Sequence, residues 1–156
     1  SLGEAGPTNV QIKIPLIIKF PGQKKGKIHD TFTSSIDISP SLVSFLGQDI
    51  PGWVDGEILP GFPNYSQQPE PRPIFSTAAY MNLSWEKLKT PVVSLIKYPY
   101  KLIYYYSSGD FELFNLQEDE EETKDINEQF PEISGEMAKK IVRFIEKYDS
   151  QYAKRN

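Results

Sequence analysis

Few residues in this chain could do chemistry, and their spacing limits what they can do. His29 is the only histidine, and it is followed by Asp30 in the stretch GQKKGKIHD, residues 22–30. A histidine base needs a positioned partner, and this Lys- and Gly-rich loop supplies none, so the pair reads as exposed and polar. No serine lies in a Gly-x-Ser-x-Gly elbow. Gly22–Gly26 lacks the Gly-Lys-Ser/Thr ending of a phosphate loop. There is no cysteine, which removes thiolate nucleophiles, Cys-ligated zinc and disulfides together. The acidic run EDEEETKD, residues 118–125, has the oxygens a hard cation wants. It has neither the glycine nor the alternating spacing of a calcium loop, and reads as a solvated loop. The Tyr-rich YPYKLIYYY, residues 98–106, reads as ordinary sheet packing. Asp37 stands directly before a helix start, where an acid bonds backbone donors of the first turn. No catalytic residue and no metal-ligating set emerges.

The elements around these residues follow from periodicity and punctuation. VQIKIPLIIKFPG, residues 10–22, is a nearly continuous apolar run of the kind buried on both faces of a mostly parallel sheet. Pro15 lacks an N–H, so the strand is expected from Leu16, and Pro21-Gly22 ends it. Ser39 is expected to cap a short helix with Pro40 in its first turn. Leu42, Val43, Phe45 and Leu46 would form its apolar face, and Gly47 would stop it. A Pro- and Gly-rich connection follows over residues 48–72. RPIFSTAAY (72–80) reads as a strand. PVVSLIKYP (91–99), YKLIYYYSS (100–108) and DFELFNL (110–116) read as an antiparallel meander, with Ser107–Asp110 as a hairpin loop. Met137, Ile141, Phe144, Ile145 and Tyr148 mark an amphipathic helix over Glu136–Tyr148. This order predicts an α/β to α+β fold, mixed α/β material over residues 1–70 followed over 71–156 by a small antiparallel sheet packed with a C-terminal helix.

Composition narrows the partners. With 156 residues the chain is large enough for a core, and 13% aromatics offset an apolar fraction of only 38%. A net charge of −4 argues against nucleic acid, which needs clustered Lys and Arg. No stretch approaches the ~20 apolar residues of a membrane span, and no signal-peptide pattern stands at residues 1–9. Asn64-Tyr65-Ser66 and Asn82-Leu83-Ser84 fit the glycosylation pattern.

Several segments, in order, resemble the C-terminal part of a sulfatase of the alkaline phosphatase superfamily. IKIPLIIKFPG (12–22) resembles that family's strand, a basic or small residue, Val/Ile, Pro, then an aliphatic run ending in Pro-Gly. SSIDISPSLVSFLGQDIPGWVDGEILP (34–60) resembles its Ser, Asp, Pro-Thr/Ser-Leu, Gly, Pro and Asp-Gly unit. YKLIYYYSSGDFELFNLQEDEEETKDI (100–126) resembles the hairpin from a Lys-Leu-Ile strand into Glu-Leu-Tyr-Asp-Leu and acidic residues. SLGEAG (1–6) resembles the Gly-Glu-His-Gly stretch, with Ala5 where a His often stands. The resemblance gives Pro15, Pro21, Gly22, Asp37, Pro40, Gly47, Pro51, Asp55, Gly56, Lys101 and Leu113 the role of structural framing.

The departures bear on activity. The family's nucleophile lies in a Cys/Ser-x-Pro-x-Arg motif and is converted to formylglycine. This chain has no such motif, nor the family's Asp-Asp and Asp-His/Asn metal pairs. The resemblance therefore implies a C-terminal portion that is inactive alone and whose partner is the N-terminal catalytic portion of the same protein. Intact, that protein would cleave a sulfate ester, or a phosphate or phosphonate ester as in sister families, with calcium or a similar divalent ion. The alternative is a free-standing, non-catalytic domain that binds a partner through its Tyr-rich sheet.

Overall fold

The structure, a computed structural model, describes residues 7–66, 72–78 and 92–153, with side chains through Tyr148. Asn82, Ala5 and the rest of SLGEAG lie outside the described residues. The chain divides into two compact units, one of residues 16–74 and one that joins residues 1–15 to 75–156.

The second unit is built on a four-stranded sheet in the order β1 (Ile74–Ala78), β2 (Val92–Lys97), β3 (Tyr100–Tyr105), β4 (Phe111–Asn115). Of the predicted strand at 72–80, Ile74–Ala78 joins the expected meander as its outer strand. Lys97 pairs with Tyr100, so Tyr98-Pro99 is a two-residue turn, and Val92 pairs with Tyr105 at the other end. Tyr104 pairs with Phe111 across the second hairpin. There Gly109 takes φ +81°, a conformation open to glycine without steric cost. Its N–H bonds to Tyr105 O at 2.8 Å, and Tyr105 N–H bonds to Asp110 O at 2.9 Å.

Strand alternation sends Val93, Leu95, Leu102 and Leu113 to one face. There α3 (Pro131–Ala153) covers them with Met137, Ala138 and Ile141. Phe144 and Ile145 pack at the rim of this core, and the Phe144 ring stacks on Phe75 with centroids 4.3 Å apart. The helix starts five residues earlier than its apolar stripe suggests. Pro131 suits a first helical position because its missing N–H would be unpaired there anyway. The opposite face of the sheet is buried too, with Val92, Ser94, Ile96, Lys101, Ile103 and Phe114.

The expected strand over residues 10–22 does not form. Asn9–Ile12 is a single helical turn, α1. Residues 13–20 are irregular, and Ile14, Leu16, Ile17 and Ile18 are exposed. A strand needs a neighbouring backbone to accept and donate its hydrogen bonds, and no described strand flanks this one.

In the first unit, a 3-10 turn over Ser35–Asp37 runs directly into α2 (Ile38–Phe45). The chain is already helical before Ser39, so Ser39 is not the cap. The end matches expectation. Gly47 takes φ +69° and its N–H bonds to Ser44 O, while Gln48 N–H bonds to Val43 O, the paired bonds of a Schellman stop. The buried side of α2 is not its apolar one. Pro40, Ser41 and Ser44 are buried, whereas Leu42, Phe45 and Leu46 are exposed.

The core under α3 carries the second unit, and Leu113 lies at its centre with no solvent exposure. Leu113→Ala is expected to cost about 2–5 kcal/mol of unfolding free energy, read from urea denaturation followed by tryptophan-independent far-UV circular dichroism.

Candidate functional site

Two buried polar networks, one in each unit, centre on Asp37 and on Lys101, both singled out from the sequence. In the first, the Asp37 carboxylate is withdrawn from solvent, its side chain 4% exposed. Oδ2 accepts the Ser34 N–H at 2.7 Å and Oδ1 accepts the Glu57 N–H at 2.9 Å. The Arg72 guanidinium donates Nη2 to both oxygens, and Arg72 Nε lies 3.6 Å from Glu57 Oε2. Every acceptor direction of the carboxylate is thus used, as a buried charge requires. One turn on, Ser41 Oγ donates to Asp37 O at 2.6 Å and accepts the Leu59 N–H at 2.8 Å. Asn64 Nδ2 donates to Ser44 Oγ at 3.1 Å.

Gly56 completes this site. A Cβ there would sit 2.2 Å from Ile36 O, so only glycine lets the returning strand of backbone pass beside the Ser35–Asp37 turn. Asp37, Pro40 and Gly56 are therefore brought together. Pro51 and Asp55 are exposed on the connecting loop, where Val54 N–H closes a turn on Pro51 O at 3.0 Å. Pro15, Pro21 and Gly22 are exposed and stand apart from it, with Gly22 at φ +74° in a turn.

In the second unit, Lys101 and Leu113 project from opposite faces of the sheet. Lys101 has no solvent exposure, and its ammonium pairs with Glu122, whose side chain is 2% exposed. Asn9 closes the cluster. Its N–H donates to Glu122 Oε2 at 2.8 Å, its Oδ1 accepts from Lys101 Nζ at 3.3 Å, and its Nδ2 donates to Glu120 O at 3.2 Å. Lys13 pairs with Glu120 on the surface. Burial pulls the Lys101 pKa below the ordinary lysine range, and the hydrogen bond and charge of Glu122 oppose that pull only in part.

The acidic run is accordingly not a plain solvated loop. Asp119 accepts the N–H groups of Thr123 and Lys124, and these bonds lower its pKa despite its exposure, Thr123 foremost. Asp125 Oδ1 accepts the N–H of Leu113 and of Asn127, each at 2.9 Å. Glu122, at φ +58°, turns its side chain inward. Sequence reasoning missed it because six acids in eight residues look alike. The available signal was the lysine in an otherwise apolar strand, since a buried lysine needs a carboxylate. Tyr100, Tyr104 and Tyr105 are half-buried against the two sheet faces, and Tyr105 OH donates to Glu112 at 2.8 Å.

No group of three or more His, Asp or Glu among the described residues is arranged to hold a metal ion. The two buried carboxylates already face cationic side chains, so the donors present do not fit a divalent ion. No described helix is long and apolar enough to cross a membrane.

Four strands backed by a C-terminal helix form the fold found at the C-terminal end of solved sulfatase-like structures. The chain belongs to the family described as N-sulphoglucosamine sulphohydrolase, C-terminal, which matches residues 8–147. It is 29% identical to arylsulfatase K of Danio rerio over 141 residues, which cover 88% of this chain and 26% of that protein. Over 60 residues it is 38% identical to the multifunctional alkaline phosphatase superfamily protein PehA of Trinickia caryophylli, covering 37% of this chain and 12% of that protein. The phosphonate monoester hydrolase of Silicibacter pomeroyi shares the fold with a TM-score of 0.64 at 22% identity, over 83% of this chain and 28% of that one. The matched part of this chain thus spans between 12% and 28% of the length of these relatives.

Both networks yield to substitution in distinct ways. Asp37→Ala leaves Arg72 and two backbone N–H groups without their acceptor, and is expected to cost about 2–4 kcal/mol by urea denaturation, less than a fully buried pair because Arg72 can reach water. Lys101→Met alone strands the Glu122 charge and is expected to cost about 3–5 kcal/mol, while Lys101→Met with Glu122→Leu recovers most of it. The lowered pKa of Lys101 means that the unfolded chain holds this proton more firmly than the folded one. Raising the pH through the window between the lowered value and the ordinary lysine range should therefore stabilise the wild type relative to the double variant, measured by paired denaturation curves at neutral and alkaline pH.

Proposed function

We propose that the protein of which this chain forms the C-terminal part hydrolyses a sulfate ester. The match of residues 8–147 to a sulfatase C-terminal family carries this reading, and the relation to arylsulfatase K supports it. The nucleophile and a divalent ion, calcium or one like it, belong in this reading to the N-terminal catalytic portion. This chain contributes no catalytic residue.

Its role is architectural. Residues 1–70 close the larger α/β domain, framed by Asp37, Pro40, Gly47, Pro51, Asp55 and Gly56, with Pro15, Pro21 and Gly22 bounding the apolar run. Residues 71–156 form the small sheet domain, held by Lys101 and Leu113. A phosphonate monoester is the second reading, favoured by the fold shared with the Silicibacter pomeroyi enzyme.

The test is to assay the full-length protein, supplied with calcium, on an aryl sulfate and on an aryl phosphonate monoester. The expected outcome is faster turnover of the sulfate, with loss of most activity when residues 100–156 are removed. A preference for the phosphonate selects the second reading, and unchanged activity after the deletion overturns the architectural role.

A further inference from the structure

The side of α3 turned toward the β3–β4 hairpin forms a groove of about 440 Å³, within the size range of small-molecule sites, about 300–1,000 Å³. Its floor is apolar. Tyr104 and Phe111, cross-strand partners at the hairpin, supply two half-buried rings. Ala138 and Val142, one turn apart on the helix, supply aliphatic surface. Lys139, Arg143 and Glu146 line the groove from the helix and are exposed.

The polar groups of this groove are unengaged. Elsewhere in the unit, charged side chains have partners: Glu122 on Lys101, backbone N–H groups on Asp125, and Glu136 on both Lys97 and Lys140. Among the described residues, no hydrogen bond or ion pair engages Lys139, Arg143, Glu146 or the Tyr104 hydroxyl. Lys139 and Arg143 stand at i, i+4, where like charges repel and weaken a helix. Glu146 follows Arg143 at i+3 without closing an ion pair. The groove therefore carries two cations toward one end and a carboxylate about 10 Å along the helix from Lys139.

That set of groups discriminates among ligands. An inorganic anion would use the two cations and leave the aromatic floor in water. An acidic peptide would meet the Glu146 carboxylate, and facing like charges oppose binding. A sugar ring with an anionic substituent uses every group. One C–H face lies on the Tyr104 and Phe111 rings, and the anion takes the Arg143 fork and the Lys139 ammonium. Sugar hydroxyls donate to Glu146 and to the Tyr104 oxygen. The groove is open to solvent, so the ring can belong to a longer chain.

We propose that the groove between α3 and the β3–β4 hairpin binds an anionic saccharide. Lys139 and Arg143 hold its anionic group, Tyr104 and Phe111 its ring face, and Glu146 its hydroxyls. The inference stands on the groove alone and does not depend on which ester the whole protein hydrolyses.

The test uses the full-length protein and a sulfated glucan oligosaccharide, with the unsulfated oligosaccharide and inorganic sulfate as comparison probes. Amide hydrogen exchange over residues 104–111 and 138–146, followed against probe concentration, reads affinity at the groove itself. The sulfated probe is expected to slow exchange there at concentrations at least tenfold below those either comparison probe needs. Lys139→Ala with Arg143→Ala should raise the required concentration tenfold or more at unchanged Tm, since both side chains are exposed and unpartnered. Glu146→Ala decides the ligand class. A bound saccharide loses a hydroxyl acceptor and is held several-fold more weakly, whereas a site for a bare anion or an acidic peptide would bind more tightly. Tighter binding in Glu146→Ala, equal protection by inorganic sulfate, or unaltered exchange over both segments overturns the proposal. Turnover of a small aryl sulfate is expected to be the same in every variant, so failure of the ester-hydrolysis reading and failure of this site are told apart.

Discussion

A carboxylate cannot be left alone out of water, and the first unit is arranged around that constraint. Asp37 is held by two backbone N–H groups, from Ser34 and Glu57, and by the Arg72 guanidinium. Those contacts join residues separated by up to 35 positions in the chain. They bring the Pro/Gly-rich connection back across the start of α2 and leave room for no side chain at Gly56. They also decide which side of α2 is buried. Since the carboxylate and Ser41 must face their partners, the leucines face away from them.

The second unit solves the same problem with a different ion pair. Lys101 stands in a strand whose neighbours are otherwise apolar, and Glu122 reaches it from a loop that looks solvated in sequence. Asn9 adds a third member, and with Lys13 it ties residues 9–13 to the loop at Glu120 and Glu122. The cost of desolvating two charges is offset only when their remaining hydrogen-bonding capacity is used, which is what Asn9 supplies. This pairing makes residues 1–15 part of the sheet unit, although residues 16–74 intervene in the chain. The apolar core beneath α3 then contributes the bulk of burial.

The two buried carboxylates, Asp37 and Glu122, are spent on cations and backbone donors. The apolar side of α2 and residues 16–18 are left exposed by the contacts these networks make.

Sequence alone determined the elements whose information is local. Strand-forming Val, Ile and Tyr in VVSLIK, YKLIYY and FELFN, with the hairpin loop at residues 107–110, were enough for three strands, because propensity and turn chemistry are local. Spacing from Met137 to Tyr148 identified α3, and Gly47 identified the end of α2, since a left-handed residue is a local requirement. The ordered motifs also sufficed to recognise the family. Tertiary structure decided what depends on partners remote in sequence. It withheld the strand at residues 10–22, because a backbone ladder needs a second backbone. It turned the apolar side of α2 outward, because the buried charge of Asp37 took precedence over four apolar side chains. It selected Glu122 from a run of similar acids, because only that residue lies beside Lys101 once β3 and the loop are in place.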